Sequence, residues 1–193
     1  MTLFFYYVQY HIVNTPMKDP IAQEGEMVLR QKAKAVARKD ISSRKIKAVI
    51  SRMKKALAAE EFGVAIAAPQ IGESLRIFVV AGKALVPEHD ELDEEAPKAV
   101  RPPDMVFINP EFVRLSRAKK EMSEGCLSVR GKYGTVMRHE KASVRAFNEK
   151  GEAFTYNGTG LVSHIFQHEY DHLEGILYID KAKKLTEGNV TNE

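Results

Sequence analysis

The stretch His168-Glu169-Tyr170-Asp171-His172 sets two histidines four residues apart, with a carboxylate next to the first. On an α-helix, positions i and i+4 lie on one face a turn apart, close enough for both imidazoles to reach one divalent ion. Glu169 then sits beside that ion, where it can work on a bound water. The competing reading is a solvated helix with two surface histidines, and the flanking residues weigh against it. Leu161, Ile165, His168 and His172, flanked by Val162 and Phe166, recur at spacings of three and four, so an apolar stripe runs into both candidate ligands. The spacing predicts a buried helix of about four turns, with Thr159 as N-cap and Gly175 as its left-handed stop. Two imidazoles leave such an ion short, because catalytic sites of this kind generally use three protein ligands and a water.

The one cysteine, Cys126, lies some way upstream in Glu124-Gly125-Cys126-Leu127-Ser128-Val129, a glycine-flanked apolar turn. A free cysteine is usually a buried hydrophobe, but a thiolate with two imidazoles is a known zinc-type set, and the metal keeps the sulfur deprotonated. A single cysteine also excludes an internal disulfide and points to a reducing compartment or to a thiol kept for chemistry. Further upstream, Gly63-Val64-Ala65-Ile66-Ala67-Ala68-Pro69-Gln70-Ile71-Gly72 packs small residues and a proline around one long amide. Small side chains let another backbone or a ligand come close, and Gln70 can donate and accept hydrogen bonds there. A tight helix-to-strand turn with an exposed glutamine is the alternative.

A chain of 193 residues with 44% hydrophobic content can build one domain with a real core. The formal charge of +3 is small and dispersed, and no base-stacking motif accompanies it, so the expectation is no direct nucleic-acid contact. Residues 1–13 are apolar and aromatic, too few to span a bilayer, and lack the positive charge of a signal or transit peptide. Residues 1–16 are read as an N-terminal extension and 17–193 as a single domain. Residues 20–37 are partly turn-like, anchored by Met27, Val28 and Leu29. Ser42 or Ser43 caps a core helix over about 44–60, in which Ile46, Val49, Ile50, Met53, Leu57 and Ala58 repeat at helical spacing. Strands are expected over 75–80, 105–108, around Val136, and over 143–147 and 153–156, the last two joined by a turn at 148–151. An acidic surface loop covers 88–95, and the polar tail after Asp180 reads as loose.

Gly63 to Gln70, Glu124 to Ser128 and Gln167 to His172, in this order, resemble the three signatures of the peptide deformylase family, G-x-G-φ-A-A-P-Q, E-G-C-L-S and Q-H-E-x-D-H. The likeness runs from about Ile21 to Asp180. It implies an α+β fold, antiparallel β-sheets packed around a central metal-binding helix. It also implies removal of the formyl group from N-formylmethionine on new polypeptides. Carried over, it makes Cys126, His168 and His172 the metal ligands, Glu169 the general base and then acid, and Gln70 with the backbone N–H of Leu127 the oxyanion donors. The peptide would add as a strand along Gly63, Val64, Ala65 and Ile66, with Gly125 also touching substrate and Leu161 and His164 partly lining the methionine pocket. The family's ion is usually Fe(2+) in the cell, with Zn(2+) or Ni(2+) able to replace it. The partners implied are formylmethionyl nascent peptides and a transient ribosome association, for a cytoplasmic monomer of bacterial type without membrane contact.

Two residues depart from the pattern: Ala65 stands where the family has glycine, and Arg130 where a proline is common. The helix some relatives use against the ribosome is short or missing, since thirteen residues follow Asp180. A zinc peptidase shares H-E-x-x-H but takes its third ligand downstream, and no histidine follows His172. A deformylase-like peptide-binding protein without turnover is the other alternative.

Overall fold

The computed structural model describes residues 19–85 and 102–188, so the expectations for residues 1–16 and 88–95 lie outside the described residues. Strands β1 (Ala65–Ala67), β2 (Ile77–Val80), β3 (Met105–Leu115), β6 (Lys141–Phe147) and β7 (Ala153–Thr159) form one sheet in the order β1-β2-β3-β6-β7. Strands β4 (Lys119–Cys126), β5 (Val129–His139) and β8 (Leu185–Glu187) form a second, ordered β4-β5-β8. Every pairing between named strands is antiparallel. The helices are α1 (Arg44–Ala58) and α2 (Gly160–Leu173). No helix among the described residues is long and apolar enough to cross a membrane. The expected α+β arrangement is the observed one.

The apolar run Ile77-Phe78-Val79-Val80 is continuous because β2 is buried on both faces. Ile77 and Val79 pack with Ile46, Val49, Ile50, Met53 and Leu57 of α1. Phe78 and Val80, pointing the other way, pack with Ile165, Phe166 and Leu173 of α2. The large sheet is thus a wall between the helices. Phe107 stacks on Phe78 with centroids 4.6 Å apart and meets Phe166 at 5.1 Å, which presses α2 onto the wall. The opposite side of α2 is tied to the small sheet by Gln167, whose amide accepts from His139 N and donates to His139 O, both at 2.9 Å.

Helix α1 begins as expected, with Ser43 Oγ accepting from Ile46 N at 3.3 Å. Thr159 holds the N-cap position of α2 but makes no side-chain cap bond. Gly175 ends α2 with φ +75°, and an added Cβ would meet Arg30 O at 2.7 Å.

Some expectations are corrected. The segment after Asp180 contains β8, which pairs with β5 at Lys132–Glu187, Tyr133–Thr186 and Gly134–Leu185. Met27 is 77% exposed and anchors nothing, whereas Leu29 is fully buried, and in α1 Ala58 is exposed while Ala56 takes a place in the buried stripe. The strands at 105–108 and around Val136 are each eleven residues long. Strand β3 continues through Pro110 because its register shifts there: Asn109 takes φ +52° and its side chain closes on both backbone groups of Val36 at 2.8 Å.

Gly175→Ala combines a left-handed φ with a backbone collision, so it is expected to destabilise the fold by at least about 1–2 kcal/mol. Thermal denaturation checks this; an unchanged Tm would show that the C-terminal end of α2 has room to relax.

Candidate metal centre

Strand β4 ends at Cys126 and a two-residue turn leads into β5, which points the thiol back toward the buried face of α2. Ligand atoms of Cys126, His168 and His172 all lie within 4.8 Å of one another, and Cys126 Sγ is 3.2 Å from His172 Nε2. Donors sharing one tetrahedral ion sit about 3.3–3.7 Å apart, given metal–ligand bonds of about 2.0–2.3 Å. The three residues named from the sequence therefore converge, and their donor set fits a transition metal.

Glu124 orders this cluster. One carboxylate oxygen accepts from Arg138 Nε at 2.7 Å and faces His164 Nε2, and the other accepts from Arg138 at 3.0 Å and meets His168 Nδ1 at 2.7 Å. A carboxylate on Nδ1 leaves Nε2 of His168 as the nitrogen free for a metal. Arg138 also binds Asp171 at 2.6 Å, and Lys181 closes the chain on Asp171 at 2.6 Å. Burial pushes the Glu124 carboxyl up, but hydrogen bonds from His164, His168 and Arg138 outweigh it and hold the group far below the usual carboxylate range.

The same balance acts on the donors. Burial raises the Cys126 thiol, yet the charge of His172 and hydrogen bonds from His168 and His172 hold it well below its ordinary value. Burial lowers His168, yet its bonds to Cys126 and Glu124 hold it well above. A dication held by the same donors would compete with a proton for them.

Glu169 is buried beside the cluster, and its carboxyl is pushed up to about 7, chiefly by burial, which the nearby His168 and His172 oppose. Its Oε2 and Nδ1 of His172 have no hydrogen-bond partner among the described residues. Gln70 is 2% exposed: its Oε1 accepts from Ala67 N at 2.8 Å, and Nε2 lies 3.1 Å from Ser128 Oγ and 3.6 Å from Cys126 Sγ. The exposed-glutamine alternative is excluded.

The remaining sequence candidates surround this centre unevenly. Val64, Ala65 and Ile66 lie at or beside β1, the edge strand of the large sheet, with Gly63 just before it. Gly125 is exposed next to Cys126, with Tyr133 3.1 Å from where a Cβ would stand. Leu161 is exposed in the first turn of α2. His164 is 5% exposed with its ring edge spent on Glu124 and Met122. The sequence reading gave no role to Arg138 or Asp171. Arg138 stands in no motif, and only its contacts reveal it; Asp171 was visible inside the histidine motif.

The polypeptide deformylase family model matches residues 18–188. This chain belongs to the peptide deformylase family. The family's metal-dependent hydrolases include that of Desulforudis audaxviator, 39% identical over 165 residues that span 84% of this chain and 92% of the relative. That of Christiangramia forsetii is 35% identical over 86% of this chain and 82% of its own length. Among solved structures, the Met-Ala-Ser-bound class I type b peptide deformylase from Acinetobacter baumannii matches with a TM-score of 0.71 at 32% identity, over 84% of this chain and 96% of that one. The Thermotoga maritima peptide deformylase matches at 0.69 and 30%, over 85% and 97%. Arg130, one of the two departures from the pattern expected from the sequence, forms ion pairs with Asp19 at 3.0 Å and Glu60 at 2.7 Å. Ala65 is absent from the positive-φ residues, so its methyl carries no left-handed strain.

Glu124→Gln, which keeps shape but weakens the bond orienting His168, is expected to lower metal affinity about 10–100-fold. Competition with a chelator of known affinity measures this, and wild-type affinity would remove Glu124 from the centre's support.

Proposed function

We propose that the chain hydrolyses the formyl amide of N-formylmethionyl peptides through a metal centre held by Cys126, His168 and His172. The observation that carries this is the convergence of the three donors within 4.8 Å beside a buried, unpartnered carboxylate oxygen of Glu169. When bound, the ion supplies the Lewis acidity that makes water nucleophilic near neutral pH. The thiolate–imidazole set suits Fe(2+) in the cell and accepts Zn(2+) or Ni(2+).

Glu169 takes the proton of the attacking water and passes it to the departing amine nitrogen. A carboxyl poised near 7 suits both halves of that cycle, and a neighbouring cation would favour its ionised form. Gln70 Nε2, fixed by the Oε1 bond to Ala67 N, and the backbone N–H of Leu127 steady the formyl oxygen as charge builds on it. The peptide adds to the outer edge of β1 along residues 63–66, across from Gly125, and Leu161 and His164 flank its methionine side chain. Residues 17–193 form one catalytic domain, working as a monomer in the cytoplasm on nascent chains, with 1–16 an extension.

Formate release from a formyl-Met-Ala-Ser peptide, measured without oxygen, tests this: metal-loaded protein should turn over and chelator-stripped protein should not. Binding without formate would indicate a turnover-deficient relative.

Glu169→Ala should keep the ion while kcat falls by about 10²–10⁴-fold, read from parallel metal analysis and kinetics. Near-normal kcat would remove Glu169 from proton transfer. The same residue sets a stability profile in the metal-free protein. Its folded pKa of about 7 lies above the ordinary 4.5, so the stability it contributes is present below 4.5 and lost as pH rises through 7. Glu169→Gln should therefore raise Tm at pH 8 relative to wild type and much less at pH 5; equal effects at both would contradict the raised pKa. Ala65 has ordinary backbone and is 7% exposed; on the reading that its methyl narrows the groove, Ala65→Gly should lower KM for formyl-peptides with little change in kcat. An unchanged KM would sink this.

A further inference from the structure

The whole-chain charge of +3 conceals a strong polarity. Residues 30–55 hold eleven Lys and Arg against Asp40 as their single acid, a net +10, so the rest of the chain is net negative. The structure turns much of this outward. In α1 the residues Ile46, Val49, Ile50, Met53, Ala56 and Leu57 are buried, which leaves the opposite half to Arg44, Lys45, Lys47, Arg52, Lys54 and Lys55. Arg52 and Lys54 are paired with Glu73 and Glu149, at 2.7 and 2.9 Å. No ion-pair partner is found among the described residues for Lys34, Arg38, Lys39, Arg44, Lys45, Lys47 or Lys55, all of them exposed. A merely solvated helix face usually mixes signs at i and i+4, and it favours acids in its first turn. Helix α1 has no acid at all, and three cations crowd its positive end.

A cavity of about 670 Å³ adjoins the start of this segment and shares Lys32 and Arg38 with it. Arg38 lies over the Phe147 ring at 5.2 Å and Arg76 over Tyr170 at 5.0 Å. Arg76 is held by Glu174 at 2.5 Å, whereas Arg38 has no ion-pair partner among the described residues, so its N–H edge is open to a phosphate. Lys32 and Arg145 also line it, paired with Glu174 and Glu111, each at 2.8 Å, so the lining of four cations and two acids keeps a net positive charge. The volume is enough for one unstacked nucleotide.

We propose that the outer face of α1, with this adjoining cavity, binds the phosphate backbone of RNA carrying unpaired nucleotides. Phosphate tracking by a basic face combined with an aromatic-backed cavity is the chemistry of single-stranded recognition. The apolar half of α1 is consumed by the core, which leaves nothing to insert into a lipid surface. This reading does not depend on the hydrolytic one.

Fluorescence anisotropy with a labelled RNA stem-loop across a salt series tests it on the full chain. The combined variant Arg44→Gln, Lys45→Gln, Lys47→Gln, Lys55→Gln should bind at least about tenfold more weakly, with a salt slope shallower by about three. Its Tm, and formate release from a short formyl-peptide, should match wild type. Neutralising Arg114, Arg117, Lys119 and Lys120, at and around the β3–β4 connection, serves as the charge-matched control and should change affinity less than about threefold. Arg38→Gln alone should narrow the preference for stem-loop over duplex DNA. Equal loss in the β3–β4 control, wild-type affinity in the α1 variant, duplex DNA bound as tightly as RNA, or tighter binding to phosphatidylserine vesicles would each overturn the proposal.

Discussion

The carboxylate of Glu124 is the constraint on which the rest of the structure depends. Two histidines of α2 and a bidentate arginine of β5 converge on its two oxygens, so one strand end, one neighbouring strand and the central helix are locked at a single buried point. Buried charges of this kind stabilise little in net terms, but removing one partner strands the others, at a cost of about 3–5 kcal/mol. The network therefore specifies geometry more than it adds stability. It fixes which nitrogen of His168 faces Cys126, and through Asp171 and Lys181 it carries the constraint to the segment beyond α2.

Around that point the fold is arranged to keep water away from Glu169 while leaving a strand edge beside it. The large sheet supplies both, because β2 is buried between the helices while β1 lies at the sheet's margin. Residues 22–24 strap the turn after Cys126: Ala22 N binds Gln70 O and Glu24 N binds Ser128 O, both at 2.7 Å. Arg130 adds to that strap by holding Asp19 and Glu60 together, a role that a proline at this position could not fill.

Much of this was legible in the amino-acid order wherever the determining contacts are local or periodic. The α2 stripe, the α1 stripe with its Ser43 cap, and the apolar run of β2 depend on neighbours three, four or two residues away. The convergence of Cys126 with the histidines followed from metal chemistry and motif resemblance, which carry long-range information that periodicity lacks. Strand β8 was illegible because its Leu185, Thr186 and Glu187 are all exposed, with no buried face to print a pattern; backbone pairing to β5 alone makes it a strand. The length of β3 was hidden by Pro110, which reads as a stop unless the Asn109 bridge to Val36 is known. Arg138 was indistinguishable from a surface arginine, and the basic face of α1 was diluted in the whole-chain charge by acids elsewhere.

The account stands or falls on whether Cys126, His168 and His172 hold one ion together. X-ray absorption on protein loaded anaerobically with one equivalent of Zn(2+) reads the donors directly. One sulfur at about 2.3 Å and two imidazole nitrogens at about 2.0–2.1 Å are predicted, with the sulfur contribution lost in Cys126→Ser. A coordination shell of nitrogen and oxygen only, identical in wild type and Cys126→Ser, would contradict it.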